Sequence, residues 1–347
     1  MIDHSAEYLR RLLDDSRIVE VRHDHKGRWS SGTFDDPVRL EYAIRDRGEV
    51  GNLYTTLNRP IGVKAINAFG ASALHDSDIA VITRVVFDLD PKRPTNTPST
   101  DDELQAGILA RGLVTRTLAA HGWPLPALGI SGNGAHAVYR TCIESTAVWR
   151  QQGATLYAGL RSRLQAQLAE LGVSFDVSVR NPSRIWRCYG SVNRKGSATP
   201  ARPHRQSSIT LPAGPWQTVT AATIERTVKL LTPVVEQHHH AVARARGPIT
   251  CAGDITTLDI VRWFTAHSAY RRPLAAGKHA VRCPWVDTHS TAPPPNGSDT
   301  VMWESRDGWP RFHCSHSHCA DRTLRDVIAL WGDADSYCTR AWSRTHG

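Results

Sequence analysis

Nowhere in its 347 residues does the chain hold an apolar run of about 18, the length a membrane-crossing helix needs. Its opening, MIDHSAEYLRRLLDD, lacks the charged-then-apolar order of a signal peptide, so a cytoplasmic protein with no membrane partner is expected. No G-x-x-x-x-G-K-S/T stretch occurs, which excludes a P-loop motor. Repeats of about 20 to 50 residues are missing, which excludes a solenoid or a propeller. Between Arg180 and Arg205 there is no acidic residue, although Arg180, Arg184, Arg187, Arg194, Lys195, Arg202 and Arg205 are all basic. A solvated face usually mixes both signs, so this stretch reads as a surface for phosphate.

What is present is ordinary for a globular chain, with 40% hydrophobic and 22% charged residues and length enough for two domains. The formal charge of +9 favours a polyanionic partner. Of the cysteines, Cys142, Cys188 and Cys251 are scattered and read as small buried side chains. Cys283, Cys314 and Cys319 lie together among histidines, where metal binding is expected over a disulfide and a second module is marked.

The element pattern is mixed α and β. An early helix runs to about Asp15, and short strands are expected at VRLEYAI and GNLYTTLN. VITRVVFDLDPKRP carries a buried strand from Val81 to Phe87 that stops on two aspartates, with Pro91 blocking its continuation. TDDELQAGILARGLVTRTLAAHG is a helix opened by Thr100 and Glu103 in capping-box spacing and ended at Gly122. ALGISGNGAHAVYR predicts a hairpin. A long helix from about Ser145 to Leu171 follows, then a short strand, VSFDVSV, with Asp176 on it. TPARPHRQSSITLPAGPW and VVEQHHHAVARARGP read as linkers, and the three histidines His238 to His240 as solvent-exposed. The domain plan is a catalytic domain over 1–215, a helical linker region over 216–254 and a zinc module over 255–347.

Residues two apart in a strand point to one side, so Asp88 and Asp90 present two carboxylates together, at most roughly 7 Å apart along the chain. Two like charges that close repel unless a divalent cation lies between them, and hard oxygen ligands suit Mg²⁺ or Mn²⁺. With His136, Asp176 and the basic run, this is the set that nucleotidyl transfer needs. Three carboxylates hold two divalent cations and cationic side chains grip a triphosphate. One cation lowers the pKa of the attacking 3′-hydroxyl while both neutralise the phosphoryl group being displaced.

VVFDLDPKRP, GISGNGAHAVYR and FDVSVRNPSRIWRCYGSVNRKG resemble the three motifs of the archaeo-eukaryotic primase superfamily, in the primase-polymerase branch of plasmids, phages and mobile elements. NLYTTLN upstream also resembles that branch, and the likeness covers roughly residues 50 to 200. It implies an α+β catalytic domain of mixed sheets flanked by helices, one half resembling an RNA-recognition fold. It also implies that Asp88, Asp90 and Asp176 are the metal carboxylates and that His136 contacts the incoming nucleotide's phosphates. Ser131 and Asn133 would line the nucleotide site with it, and Arg184, Arg187 and Lys195 would grip the triphosphate or the template. RCYGSVNRKG stands where many relatives have a Leu-Pro-Gly-Thr-like segment.

CPWVDTH and FHCSHSHC supply two short ligand pairs, Cys283 with His289 and Cys314 with Cys319, separated by 24 residues. That is how a small module closes a tetrahedral, structural Zn²⁺ site, and the metal supplies folding energy that so small a core lacks. His316 and His318 lie between the last two cysteines, and either could replace one of the four. The segment is similar to the C-terminal zinc modules of phage and viral primases, which favours Cys283, His289, Cys314 and Cys319.

The expectation is a template-dependent primase-polymerase that assembles primers on single-stranded DNA from nucleoside triphosphates, ribo- or deoxy-, with any helicase supplied in trans. Sugar choice would rest on a side chain near the 2′ position, for which Tyr54 is a candidate. Two rivals use the same residues. A metal-dependent nuclease or phosphoesterase needs no triphosphate, and a non-catalytic replication initiator binds DNA with dispensable aspartates.

Overall fold

The computed structural model describes residues 3–144, 146–245, 251–289, 297–305, 308–316, 319 and 322–340, with side chains of the helix to Ala245 described as far as residue 235. The chain divides into two compact units, Met1–His238 and His239–Gly347. Among the described residues, no helix is long and apolar enough to cross a membrane.

The first unit is mixed α+β and holds two larger sheets. One is antiparallel, in the order Ile185–Arg187, Asn52–Thr56, Val19–His25, Arg28–Phe34, Ala68–Phe69. The other runs Ser208–Thr210, Ala127–Ile130, Ala135–Ile143, Ile79–Pro91, Arg59–Pro60, with Thr218–Val219 and Val173–Phe175 paired to its two long strands. Val85, Phe87 and Leu89 of the long strand are buried. Phe87 packs among Trp123, Tyr139, Tyr157 and Phe175, two of which come from the flanking helix Thr146–Arg163 and the strand Val173–Phe175. The helix Asp101–Ala119 starts at Thr100, whose hydroxyl accepts from the Glu103 N–H while the Glu103 carboxylate accepts from the Thr100 N–H. Such a cap contributes about 1 kcal/mol and fixes where the helix begins. Gly107 lets that helix press onto the strand, since a Cβ there would stand 3.1 Å from the Leu89 carbonyl oxygen.

Several sequence expectations are corrected. VRLEYAI is not a strand but part of the helix Pro37–Gly48, because Asp36 caps it by accepting from the N–H groups of Val38 and Arg39 and Pro37 opens its first turn. The long helix breaks at Leu164 into Thr146–Arg163 and Gln165–Glu170. The Pro- and Ser-rich stretch after residue 198 is no linker: Ser208–Thr210 joins the second sheet, and Ile209 and Trp216 are buried. The second stretch read as a linker is helical up to Ala245, within one helix from Ala221 that passes through Pro233; the side chains of His238 to His240 lie outside the described residues. Cys142 is exposed on its strand, whereas Cys188 is buried.

The second unit has a four-stranded antiparallel sheet in sequence order, Tyr270–Ala275, Lys278–Val281, Thr300–Trp303 and Arg311–Cys314. It has its own core, in which Trp263, Phe264, Met302 and Val327 are fully buried with Cys283, Cys314 and Cys319 beside them. The helix Leu324–Trp331 is capped by Thr323 and Asp326 and stopped by Gly332 in the left-handed region.

Candidate active site

The strand that carries the aspartates does not stop on them. It runs to Pro91, because Val173–Phe175 pairs with its last residues, Leu89 opposite Phe175 and Asp90 opposite Ser174. On its other edge Asp88 stands opposite His136, so the ladder register itself joins the two motifs. Since Phe87 and Leu89 face the aromatic core, the pleat turns Asp88 and Asp90 to the opposite side. Asp176 lies just past the end of its strand, not on it, and its N–H donates to the Asp88 carbonyl at 3.2 Å. Three carboxylates from two segments thus meet at one sheet end.

Around them the polar contacts are specific. His136 Nε2 is 3.4 Å from Asp88 Oδ1, Arg93 reaches Asp90 at 3.5 Å, and Arg184 reaches Asp176 at 3.7 Å. On its far side His136 Nδ1 is 2.7 Å from the Tyr189 hydroxyl, which accepts from the Trp186 indole N–H at 2.9 Å. The Tyr189 oxygen thus bridges the indole and Nδ1, and the other imidazole nitrogen, Nε2, faces Asp88. Burial pushes the Tyr189 phenol well above its usual pKa, which keeps that O–H available as a donor.

Electrostatics separates the two strand carboxylates. Burial, with Asp90 and Asp176 adding repulsion, raises the pKa of Asp88. Burial also acts upward on Asp90, but Arg93 and Lys195 outweigh it and lower the net value. Burial lowers the pKa of Lys195, opposed by the attraction of Asp90. The residues fit a divalent cation on two further observations. Asp88 Oδ1 is buried, and the 3.4 Å approach of His136 Nε2 falls short of a hydrogen bond to it, an arrangement costly in the absence of a cation. Beside Asp90 the backbone leaves space at Gly134, where any Cβ would collide with Asp90 Oδ1.

The other expected residues fall into distinct places. Ser131 closes the hairpin turn, its hydroxyl accepting from the N–H groups of Asn133 and Gly134 at 3.2 and 2.8 Å. Asn133 accepts from the Ser99 N–H through its side-chain oxygen, while its buried Nδ2 has no hydrogen bond. Arg187 is buried over the Tyr54 ring at 4.5 Å and donates to Asn52 and to the Tyr54 hydroxyl. The basic run is not a uniform cationic surface, because Arg202 pairs with Glu103 and Arg205 with Asp101, each at 2.6 Å. Those acids lie about a hundred residues before their partners, so a local charge count misses them. Sequence reasoning also missed Arg93, Trp186 and Tyr189. Arg93 was open to view three residues after Asp90, whereas Tyr189 has no signal short of the fold.

In the second unit Cys283, His289, Cys314 and Cys319 are all buried, with one ligand atom from each within 4.8 Å of the others. The sulfurs of Cys283 and Cys319 are 3.7 Å apart, and His289 Nε2 is 3.3 Å from Cys319 Sγ and 3.6 Å from Cys314 Sγ. A tetrahedral zinc with metal–sulfur bonds of about 2.3 Å sets its sulfurs about 3.8 Å apart, so the four fit. A disulfide would need about 2.05 Å. His316 stacks on His289 at 3.8 Å and approaches Cys314 Sγ at 3.3 Å, beside the four rather than among them. His318 lies outside the described residues.

No family model matches the chain, and no curated protein does. Among solved structures it is similar to the cyanophage S-2L primase-polymerase, archaeo-eukaryotic primase domain, with 15% identity, TM-score 0.35, and 64% of this chain and 95% of that one covered. It is similar to the primase RepB′ at 12% identity and TM-score 0.38, over 76% of this chain and 74% of that one. It is also similar to the polymerase domain of Mycobacterium tuberculosis ligase D, solved in complex with DNA, at 15% identity and TM-score 0.34, over 67% and 87% of the two chains.

Proposed function

We propose that the chain is a template-dependent primase-polymerase, a nucleotidyltransferase that joins nucleoside triphosphates into primers on single-stranded DNA. The observation that carries this reading is the buried Asp88 Oδ1, short of a formed hydrogen bond, with Asp90, Asp176 and His136 around it. Bound Mg²⁺ or Mn²⁺ would activate the 3′-hydroxyl and neutralise the phosphoryl group in flight. Asp88, Asp90 and Asp176 would hold the cations. His136, held by Tyr189, would donate through Nε2 to a phosphate oxygen. Arg184, Arg187 and Lys195 would bind the rest of the triphosphate, and burial around them would strengthen each contact by excluding water. Ser131 and Asn133 would shape the turn beneath it, with Asn133 Nδ2 the free donor.

Structural Zn²⁺ on Cys283, His289, Cys314 and Cys319 would hold the second unit's fold, and that unit would help hold the template or the primer's 5′ end. Unwinding would come from a separate helicase. The plan of 1–215, 216–254 and 255–347 remains our domain proposal. One assay tests the whole reading: single-stranded template, labelled triphosphates, Mg²⁺ or Mn²⁺, and no primer. Labelled oligomers are expected. Shortened template would indicate a nuclease, and a shifted but unchanged template a DNA-binding initiator.

A further inference from the structure

The first antiparallel sheet has one face that meets the carboxylate site at Arg187 and runs away from it to the hairpin tip. In its register Arg22 is opposite both Ser31 and Tyr54, Tyr54 is opposite Arg187, and Trp29 is opposite Asp24. Residues in this set alternate with the buried Val21, Leu53 and Trp186, so they share the side turned away from the core. Trp29 is 55% exposed, and its ring lies 5.7 Å from that of Tyr54. Tyr54 in turn lies under the Arg187 guanidinium at 4.5 Å. Trp29, Tyr54 and Arg187 therefore form one line that starts in solvent and ends next to Trp186, whose ring lies 4.3 Å from that of His136.

Beside Trp29 a cleft of about 430 Å³ opens between it and the Gly70–Ala73 segment, floored by Arg22 and Ser31. Arg22 is fixed there by donating to the buried Glu20 and to the Leu74 carbonyl. The acid on this face, Asp24, is turned into the hairpin, accepting from the Gly27 N–H. The tight turn at Lys26 and Gly27, both with positive φ, presents Lys26 and Arg28 as exposed cations at the hairpin tip.

We propose that this face binds single-stranded DNA, with a base stacking on Trp29, backed by Tyr54, and the backbone held by cations at the hairpin tip. An exposed tryptophan in an aromatic line is a poor choice for water and a good one for a base. Aromatic stacking with flanking positive charge is the chemistry that recognises an unpaired polynucleotide. The line's continuity with the carboxylate site makes the occupant the strand being read. This inference rests on the polymerase reading, but its test does not require synthesis.

The test is equilibrium binding of a fluorescein-labelled oligodeoxynucleotide to the full chain, without nucleotide or divalent cation. Trp29→Ala should weaken binding about tenfold, Trp29→Phe much less, and the thermal midpoint should stay put because the side chain is mostly exposed. A 5-iodouracil-substituted oligomer should photocrosslink to Trp29 or Tyr54. Unchanged affinity in Trp29→Ala with no crosslink to either residue would overturn the proposal, even in a protein that makes primers. So would a variant whose affinity for the oligomer is intact but whose nucleotide KM rises, since the line would then seat the incoming base. If the native chain makes no oligomers yet binds DNA in a Trp29-dependent way, the surface stands and the polymerase reading falls.

Discussion

The Tyr189 hydroxyl stands 2.7 Å from His136 Nδ1 and accepts the Trp186 indole N–H at 2.9 Å. If the tyrosine donates to Nδ1, His136 carries its proton on Nε2 and points it toward Asp88. Tyr189→Phe should lower primer synthesis by about tenfold, as a positioning loss of one neutral hydrogen bond. Nitrogen NMR should then find the His136 proton distributed over both ring nitrogens in the variant and confined to Nε2 in the native protein. A native histidine already in both tautomers would remove Tyr189 from the mechanism.

Asp88→Asn and Asp90→Asn should each abolish synthesis while the protein still folds, since both keep the volume and discard metal-binding charge. Asp176→Asn should act likewise. Activity within about tenfold of the native protein in the first two would sink the carboxylate assignment.

Arg184 is partly exposed and reaches toward Asp176. If it contacts the triphosphate, Arg184→Ala should raise the nucleotide KM roughly ten- to a hundredfold, with much smaller change in affinity for an oligonucleotide. Lysine at this position should restore part of the loss, keeping charge without the planar fork. The reverse pattern, lost DNA affinity at constant KM, would place Arg184 on the template.

Away from the site, Asp15 accepts from Arg140 and pairs with the fully buried Arg84 at 2.8 Å. Burial acts upward on the Asp15 pKa, but Arg140 and Arg84 outweigh it and hold the value low. The stability this supplies is present above the unfolded carboxylate pKa of about 3.9 and is lost as pH falls through the lower folded value. Asp15→Asn should cost about 3 kcal/mol at neutral pH by stranding Arg84. The gap in melting temperature from the native protein should narrow below about pH 4. A constant gap down to pH 2 would show the loss to be packing alone.

One zinc per chain is expected by elemental analysis, lost in Cys283→Ser and Cys314→Ser and kept in His316→Ala. Zinc-free native protein would refute the site, and loss in His316→Ala would bring that ring into the ligand set.

What the sequence determined is what short-range chemistry decides. The helix after Thr100 follows from its capping box, the 127–143 hairpin from its Gly-Asn-Gly turn, and the buried strand from its β-branched run. The two ligand pairs were legible too, because residues close together in sequence are close in space, while the resemblance alone favoured the four over His316 and His318. The helix Pro37–Gly48 carries its own start signal, the Asp36 cap followed by Pro37, which a strand reading of VRLEYAI passes over. Tertiary structure alone decided the rest. That Asp88 faces His136 depends on a ladder register between distant segments, and a slip of one residue would turn it to the wrong side. That Arg202 and Arg205 are neutralised depends on where the helix after Thr100 begins in space, which no local charge pattern encodes. That Tyr189 meets His136, and that Trp29 lines up with Tyr54 and Arg187, depends on strands from three regions of the chain meeting edge to edge.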